Sequence, residues 1–128
     1  MKPIRVLIVD DSAVMRKIVE RCLRQAGIDL TEVLEAGNGL EGLAALQAGG
    51  VDLILSDINM PAMDGLEFLH GLRQIENARN TPVVMITTEG SESRVVEALS
   101  AGARGYIRKP FTPDQVKERV TPLLVGAR

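Results

Sequence analysis

The chain has 128 residues, 45% of them hydrophobic and 25% charged, which suits one domain with a true core and no need of covalent staples. Its formal net charge of −2 removes any global draw toward nucleic acid or anionic lipid, and Phe68, Phe111 and Tyr106 are too few aromatics to stack bases on. The lone Cys22 excludes an internal disulfide and a multi-cysteine metal site, no apolar run reaches transmembrane length, and MKPIRVLIV is too short for a signal peptide. The expectation is a single cytoplasmic, monomeric domain over residues 1–128. No output module, nucleic-acid partner or membrane segment is expected.

In chain order, Ile4 to Val9 is an apolar run ending at Asp10 and Asp11. Ser12 to Gly27 places Met15, Ile18, Val19, Cys22, Leu23 and Ala26 at helical spacing, closed by a glycine. Thr31 to Ala36 reads as a polar strand, as at a sheet edge. Asn38 and Glu41 have capping-box spacing and open a short helix to Ala48. Val51 onward is an apolar run buried on both faces, which ends at Asp57 before Asn59, Pro61, Asp64 and Gly65 turn the chain. Asp64 and Glu67 repeat the capping spacing ahead of a helix carrying Leu66, Leu69, Leu72 and Ile75.

Pro82 to Thr87 is the next strand, and Ser91 to Ala101 a helix expected to turn Val95, Val96 and Leu99 inward. Arg104 to Lys109 is a short strand. Thr112, Pro113 and Gln115 supply the cap, first-turn proline and capping partner of a last helix through Leu124. Five strand–helix units with short links demand right-handed parallel crossovers and helices on both faces. The predicted fold class is α/β: a (βα)5 flavodoxin-like three-layer sandwich whose five-stranded parallel sheet has the order 2-1-3-4-5. The polar second strand and short fifth strand take the edges. Chain reversal then falls between strands one and three, where Asp10, Asp11 and Asp57 converge.

Three carboxylates so close repel, so they bind a divalent cation or hold a proton between them. An all-oxygen ligand set favours Mg²⁺, which keeps several waters and leaves room for a phosphate. Thr87 and Lys109 end strands on the same rim, where a hydroxyl and an ammonium suit the oxygens of a phosphoryl group. Lys109 precedes Pro110 and is biased to extended backbone, although the isomer of that bond is not legible. The plainer alternatives are solvated turn aspartates, a capping threonine and a surface lysine. Cys22 reads as inert core, His70 as a surface residue away from the rim, and Met15, Met60, Met63 and Met85 as packing.

The segments IVDDS at 8–12, SDINMPAMDG at 56–65, MITTE at 85–89 and GYIRKPF at 105–111 stand in register at successive strand ends. On them the chain resembles the receiver domain of bacterial two-component response regulators, closest to the single-domain chemotaxis (CheY) type. The resemblance implies that Asp57 accepts a phosphoryl group from a phosphohistidine of a sensor kinase, and that small acyl phosphates also serve as donors. It further implies that Asp11, Asp57 and the main-chain carbonyl of Asn59 hold Mg²⁺, with Asp10 acting largely through water. Thr87 and Lys109 then contact the phosphoryl group, and Tyr106 is a rotameric switch that turns inward as Thr87 moves.

Asn59, Thr88 and Glu89 are implied to tune self-dephosphorylation. Thr88 departs from the Ala or Gly usual there, and its branched side chain is expected to lengthen the phosphoryl lifetime. Output is expected by contact through helix four, strand five and helix five, with a flagellar-motor switch protein or another regulator as target. A phosphatase is a further partner, and phosphorylation-dependent pairing through that face is left open. Arg94, Arg104, Arg108, Lys117 and Arg119 form a basic fringe there, which either recognises an acidic peptide or is simply solvated.

Two other readings compete. Gly37, Gly39 and Gly42 match G-x-G-x-x-G between a strand and a helix, with Asp57 at the spacing of a ribose-binding acid. Against a dinucleotide site stand the polar edge strand, the crowding by Glu35 and Glu41, and the unexplained Asp10, Asp11, Thr87 and Lys109. The other is a degenerate receiver that acts as an interaction module without phosphorylation.

Overall fold

The computed structural model describes residues 2–88 and 92–125. Its elements are β1 (Ile4–Val9), α1 (Ala13–Gln25), β2 (Leu30–Ala36), α2 (Gly39–Gln47), β3 (Leu53–Asp57), α3 (Gly65–Leu72), β4 (Val83–Thr87), α4 (Glu92–Ser100), β5 (Gly105–Arg108) and α5 (Pro113–Val125). The strands form one parallel sheet of order β2-β1-β3-β4-β5. This is the predicted (βα)5 architecture, with element ends within a residue or two of the sequence reading except that α3 stops at Leu72.

Alternation along the strands divides the core in two. Leu7, Val9, Ile54, Val83 and Met85 face α2, α3 and α4, where they pack on Leu46, Phe68, Leu69 and Val95. Ile4, Val6, Ile8, Leu55, Val84 and Ile86 face α1 and α5, against Val19, Leu23, Val116 and Val120. β3 and β4 are buried along their whole length, which is why they read as unbroken apolar runs. β2 carries exposed Thr31 and Glu32 and, among the described residues, pairs only with β1.

The caps largely follow the sequence. Asp64 and Glu67 make a reciprocal capping box on α3, and Thr112 and Gln115 exchange the equivalent bonds ahead of α5. At α2 the pattern is only half realised. Asn38 accepts from the Glu41 amide, but the Glu41 carboxylate turns to the Gly37 amide at 2.7 Å.

Two expected inward residues on α4 point outward, Val96 being 63% and Leu99 41% exposed, while Val95 and Ala98 are buried. A helix lying on an edge of the sheet buries a narrower stripe than its apolar residues span. Ile18 of α1 departs in the same way at 41% exposure. Pro122 sits inside α5, where it removes one helical hydrogen bond.

Candidate functional site

β1, β3 and β4 deliver their polar residues to one rim because the sheet holds them in register, with Val9 beside Ser56 and Asp57 beside Ile86. The apolar runs fix how deep each strand sits, so Asp10 and Asp57 emerge level with one another and Thr87 follows one residue further along β4. Asp10 and Asp57 are buried there and Asp11 is exposed. One carboxylate oxygen from each lies within 4.8 Å of the other two, an arrangement able to hold a shared cation.

Lys109 follows β5 across the rim. Its Nζ stands 3.4 Å from Asp10 Oδ2 and 3.6 Å from Asp57 Oδ2, and its amide donates to the Thr87 carbonyl at 2.7 Å. The Lys109–Pro110 peptide bond is cis. Asp57 Oδ1 accepts from the Ile58 amide at 2.8 Å, leaving Oδ2 toward the lysine. Burial pushes the Asp57 carboxyl above its ordinary value and the Asp10 charge adds to this, while Lys109 and the Ile58 and Asn59 amides pull against it.

The loop after β3 is tightly folded. Ala62 has φ 65° and centres a three-residue turn in which the Met63 amide donates to the Pro61 carbonyl at 2.7 Å. The Gly65 amide donates to the Ile58 carbonyl at 2.7 Å. A Cβ at Gly65 would overlap the Asp57 carbonyl and lie 2.8 Å from Met85 Cε, so this close approach accepts only glycine.

The other predicted residues surround this centre. Thr87 is buried, and its hydroxyl donates to the Thr88 carbonyl at 3.1 Å. Asn59 and Thr88 are exposed beside Asp57 and Thr87 respectively, and Glu89 lies outside the described residues. Tyr106 is half-buried, packed on the core under α2–α4, with the Arg119 guanidinium 5.6 Å from its ring centroid. Within the basic fringe, Arg108 pairs with Glu92 and Arg94 with Asp64, both at 2.9 Å. These two arginines are engaged with acids of this chain.

The sequence reading missed the contacts of two arginines. Arg94 joins α4 to the loop that leads from Asp57 into α3. Arg16 on α1 donates from Nη1 to the Asp10 carbonyl at 2.5 Å and from Nε to Glu35 of β2 at 2.8 Å. Nothing in the local sequence pairs Arg16 with Glu35, nineteen residues on.

The glycine motif is used internally. The Gly37 amide is taken by Glu41, the Gly39 amide by the Met63 carbonyl at 3.0 Å, and a Cβ at Gly42 would stand 2.8 Å from Phe68 Cε1. These glycines serve a loop and a helix packed close on the sheet, and their amides do not form a free phosphate cradle.

The response regulator receiver domain model matches residues 6–121. The chain is 42% identical over 119 residues to the chemotaxis protein CheY-3 of Vibrio cholerae, covering 93% of this chain and 90% of that one. It is 39% identical over 116 residues to the chemotaxis protein CheY of Pseudomonas aeruginosa, covering 91% and 92%. Among solved structures, the chemotaxis response regulator CheY4 of Vibrio cholerae superposes with a TM-score of 0.83 at 37% identity, covering 96% of this chain and all of that one. Fold, strand-end residues and relatives agree, and the chain belongs to the response regulator receiver domain family.

Proposed function

We propose that Asp57 is the phosphoacceptor of a phosphorylation-switched signalling protein, charged by a sensor histidine kinase and discharged by its own hydrolysis. The observation that carries this is the convergence of three acidic oxygens within 4.8 Å, with the Lys109 ammonium 3.6 Å from Asp57. An Asp57 oxygen attacks phosphorus, the P–N bond to the donor imidazole breaks as the P–O bond forms, and the histidine is released. Lys109 neutralises charge building on the equatorial oxygens. The Thr87 hydroxyl, now on its neighbour's carbonyl, turns to a phosphoryl oxygen.

The donor set fits Mg²⁺, since it is all oxygen and carboxylate-rich. Asp11, Asp57 and the Asn59 main-chain carbonyl are its assigned ligands, with Asp10 acting through water. Bound Mg²⁺ supplies positive charge to the phosphoryl oxygens. Asn59, Thr88 and Glu89 are assigned to tuning hydrolysis.

Phosphorylation replaces the single negative charge of the Asp57 carboxylate with roughly 1.5 to 2 on the phosphoryl group, and shifts that charge outward to the rim. Thr87 then withdraws from the space beside β5, and Tyr106 moves inward from under Arg119. The readout surface is α4, β5 and α5, where Val96 and Leu99 stand exposed. Its target is another protein, and the named relatives point to chemotaxis or motility. A phosphatase partner and phosphorylation-dependent pairing belong to the same reading.

The test is incubation with Mg²⁺ and either acetyl phosphate or a phosphorylated kinase, followed by intact mass. Wild type gains one acid-stable, base-labile phosphoryl group, while Asp57→Asn and EDTA-treated protein gain none. Equal labelling of Asp57→Asn at the same site overturns the assignment, and unlabelled wild type turns the reading to a phosphorylation-independent interaction module.

A further inference from the structure

We infer that Arg16 is a positioning residue for the acidic site, and that Glu35 completes it by holding and neutralising that arginine. This rests on the reading of Asp10, Asp11 and Asp57 as a Mg²⁺ site.

Asp10 is buried and every polar group on it is occupied. Its amide donates to the Ala36 carbonyl at 3.0 Å, its Oδ1 accepts from the Ser12 amide at 2.8 Å, and its Oδ2 faces Lys109 at 3.4 Å. The remaining group, the main-chain carbonyl, accepts from Arg16 Nη1 at 2.5 Å. The same guanidinium reaches Glu35 Oε1 at 2.8 Å, and Glu35 Oε2 takes Lys17 Nζ at 2.8 Å. Glu35 directly precedes Ala36, whose carbonyl holds the Asp10 amide.

Arg16 therefore closes a loop from α1 through the Asp10 peptide to β2 and back. That peptide sets where two adjacent metal-facing carboxylates emerge. The planar fork suits this task because it bonds two acceptors in fixed directions, which an ammonium cannot do.

Charge makes the inference testable by sign. A guanidinium beside a Mg²⁺ site repels the ion, so if charge alone mattered its removal would tighten binding. If position matters, removal loosens binding although a repulsive charge has gone. Glu35 cancels that repulsion, so its neutralisation also loosens binding.

β1 carries its own control. Arg5 at the opposite end donates from Nε to Glu32 of β2 at 2.8 Å and from Nη1 to the Gly50 carbonyl at 2.5 Å. It makes the same kind of tie, remote from the acids.

The experiment measures Mg²⁺ affinity by calorimetry, and melting temperature in EDTA, for wild type, Arg16→Ala, Arg16→Lys, Glu35→Gln and Arg5→Ala. Arg16→Ala and Arg16→Lys are expected to weaken Mg²⁺ binding about tenfold, as changes to groups that orient metal ligands do. Glu35→Gln weakens it less, and Arg5→Ala leaves it unchanged while lowering the melting temperature. Unchanged or tighter binding in Arg16→Ala, or equal losses in Arg16→Ala and Arg5→Ala, overturns the inference. If wild type itself takes up no Mg²⁺, the reading of the acidic site falls first and this inference with it.

Discussion

Ala62 and Asp57 show how single residues at and after the end of β3 cost stability for different reasons. A side chain at φ 65° crowds its own carbonyl. Ala62→Gly is therefore expected to raise stability by about 0.5–1 kcal/mol in urea unfolding, after the entropy glycine returns to the unfolded chain is subtracted. Asp57 bears an electrostatic load. Burial raises its proton affinity above that of the unfolded chain, whose carboxyl sits near 3.8.

Between that value and the raised one, the folded state binds the extra proton, so stability falls as pH climbs through the window and stays lower above it. In EDTA, Asp57→Asn is expected to melt higher than wild type at neutral pH, with the gap closing toward acid as both carry a neutral side chain. Melting curves across pH check this; a neutral-pH wild type as stable as the variant would contradict it.

At the scale of elements, the link between α3 and α4 is the informative one. Asp64 caps α3 through the Glu67 amide and pairs with Arg94. Burial alone would raise its carboxyl, but the Glu67 amide and the Arg94 guanidinium outweigh it and hold it below the ordinary value. Asp64→Ala is expected to cost about 1 kcal/mol for the cap and up to about 1 kcal/mol more for the partly exposed pair. Asp64→Asn keeps the cap and loses only the ion pair. Its deficit against wild type is present at neutral pH and fades as pH falls through the depressed range, because wild-type Asp64 is then protonated too. Urea titrations at two pH values separate the terms.

For the molecule as a whole, gathering acids at the rim costs stability, and on the proposed function bound Mg²⁺ would restore part of it. Three acids gathered at one end of the sheet repel without a cation. A ligand present at about a hundred times its dissociation constant stabilises by about 2.7 kcal/mol. Adding Mg²⁺ is thus expected to raise the melting temperature of wild type and to raise that of Asp57→Asn far less, which reverses their order in EDTA. A thermal shift series over Mg²⁺ concentration reads this directly.

The sequence by itself determined the sheet order, the two-sided burial of the central strands and the rim residues. Each of these follows from where an apolar run stops, and a run's length and polarity are local facts. Asp57, Thr87 and Lys109 were legible for that reason. Tertiary structure alone decided that Val96, Leu99 and Ile18 face outward, because how wide a stripe a helix buries depends on its neighbours. It alone joined Arg94 to Asp64 and Arg16 to Glu35 and the Asp10 carbonyl. Those pairings arise from rigid packing of separate elements, and a charged side chain on a surface helix carries no local sign of which distant acid it will meet.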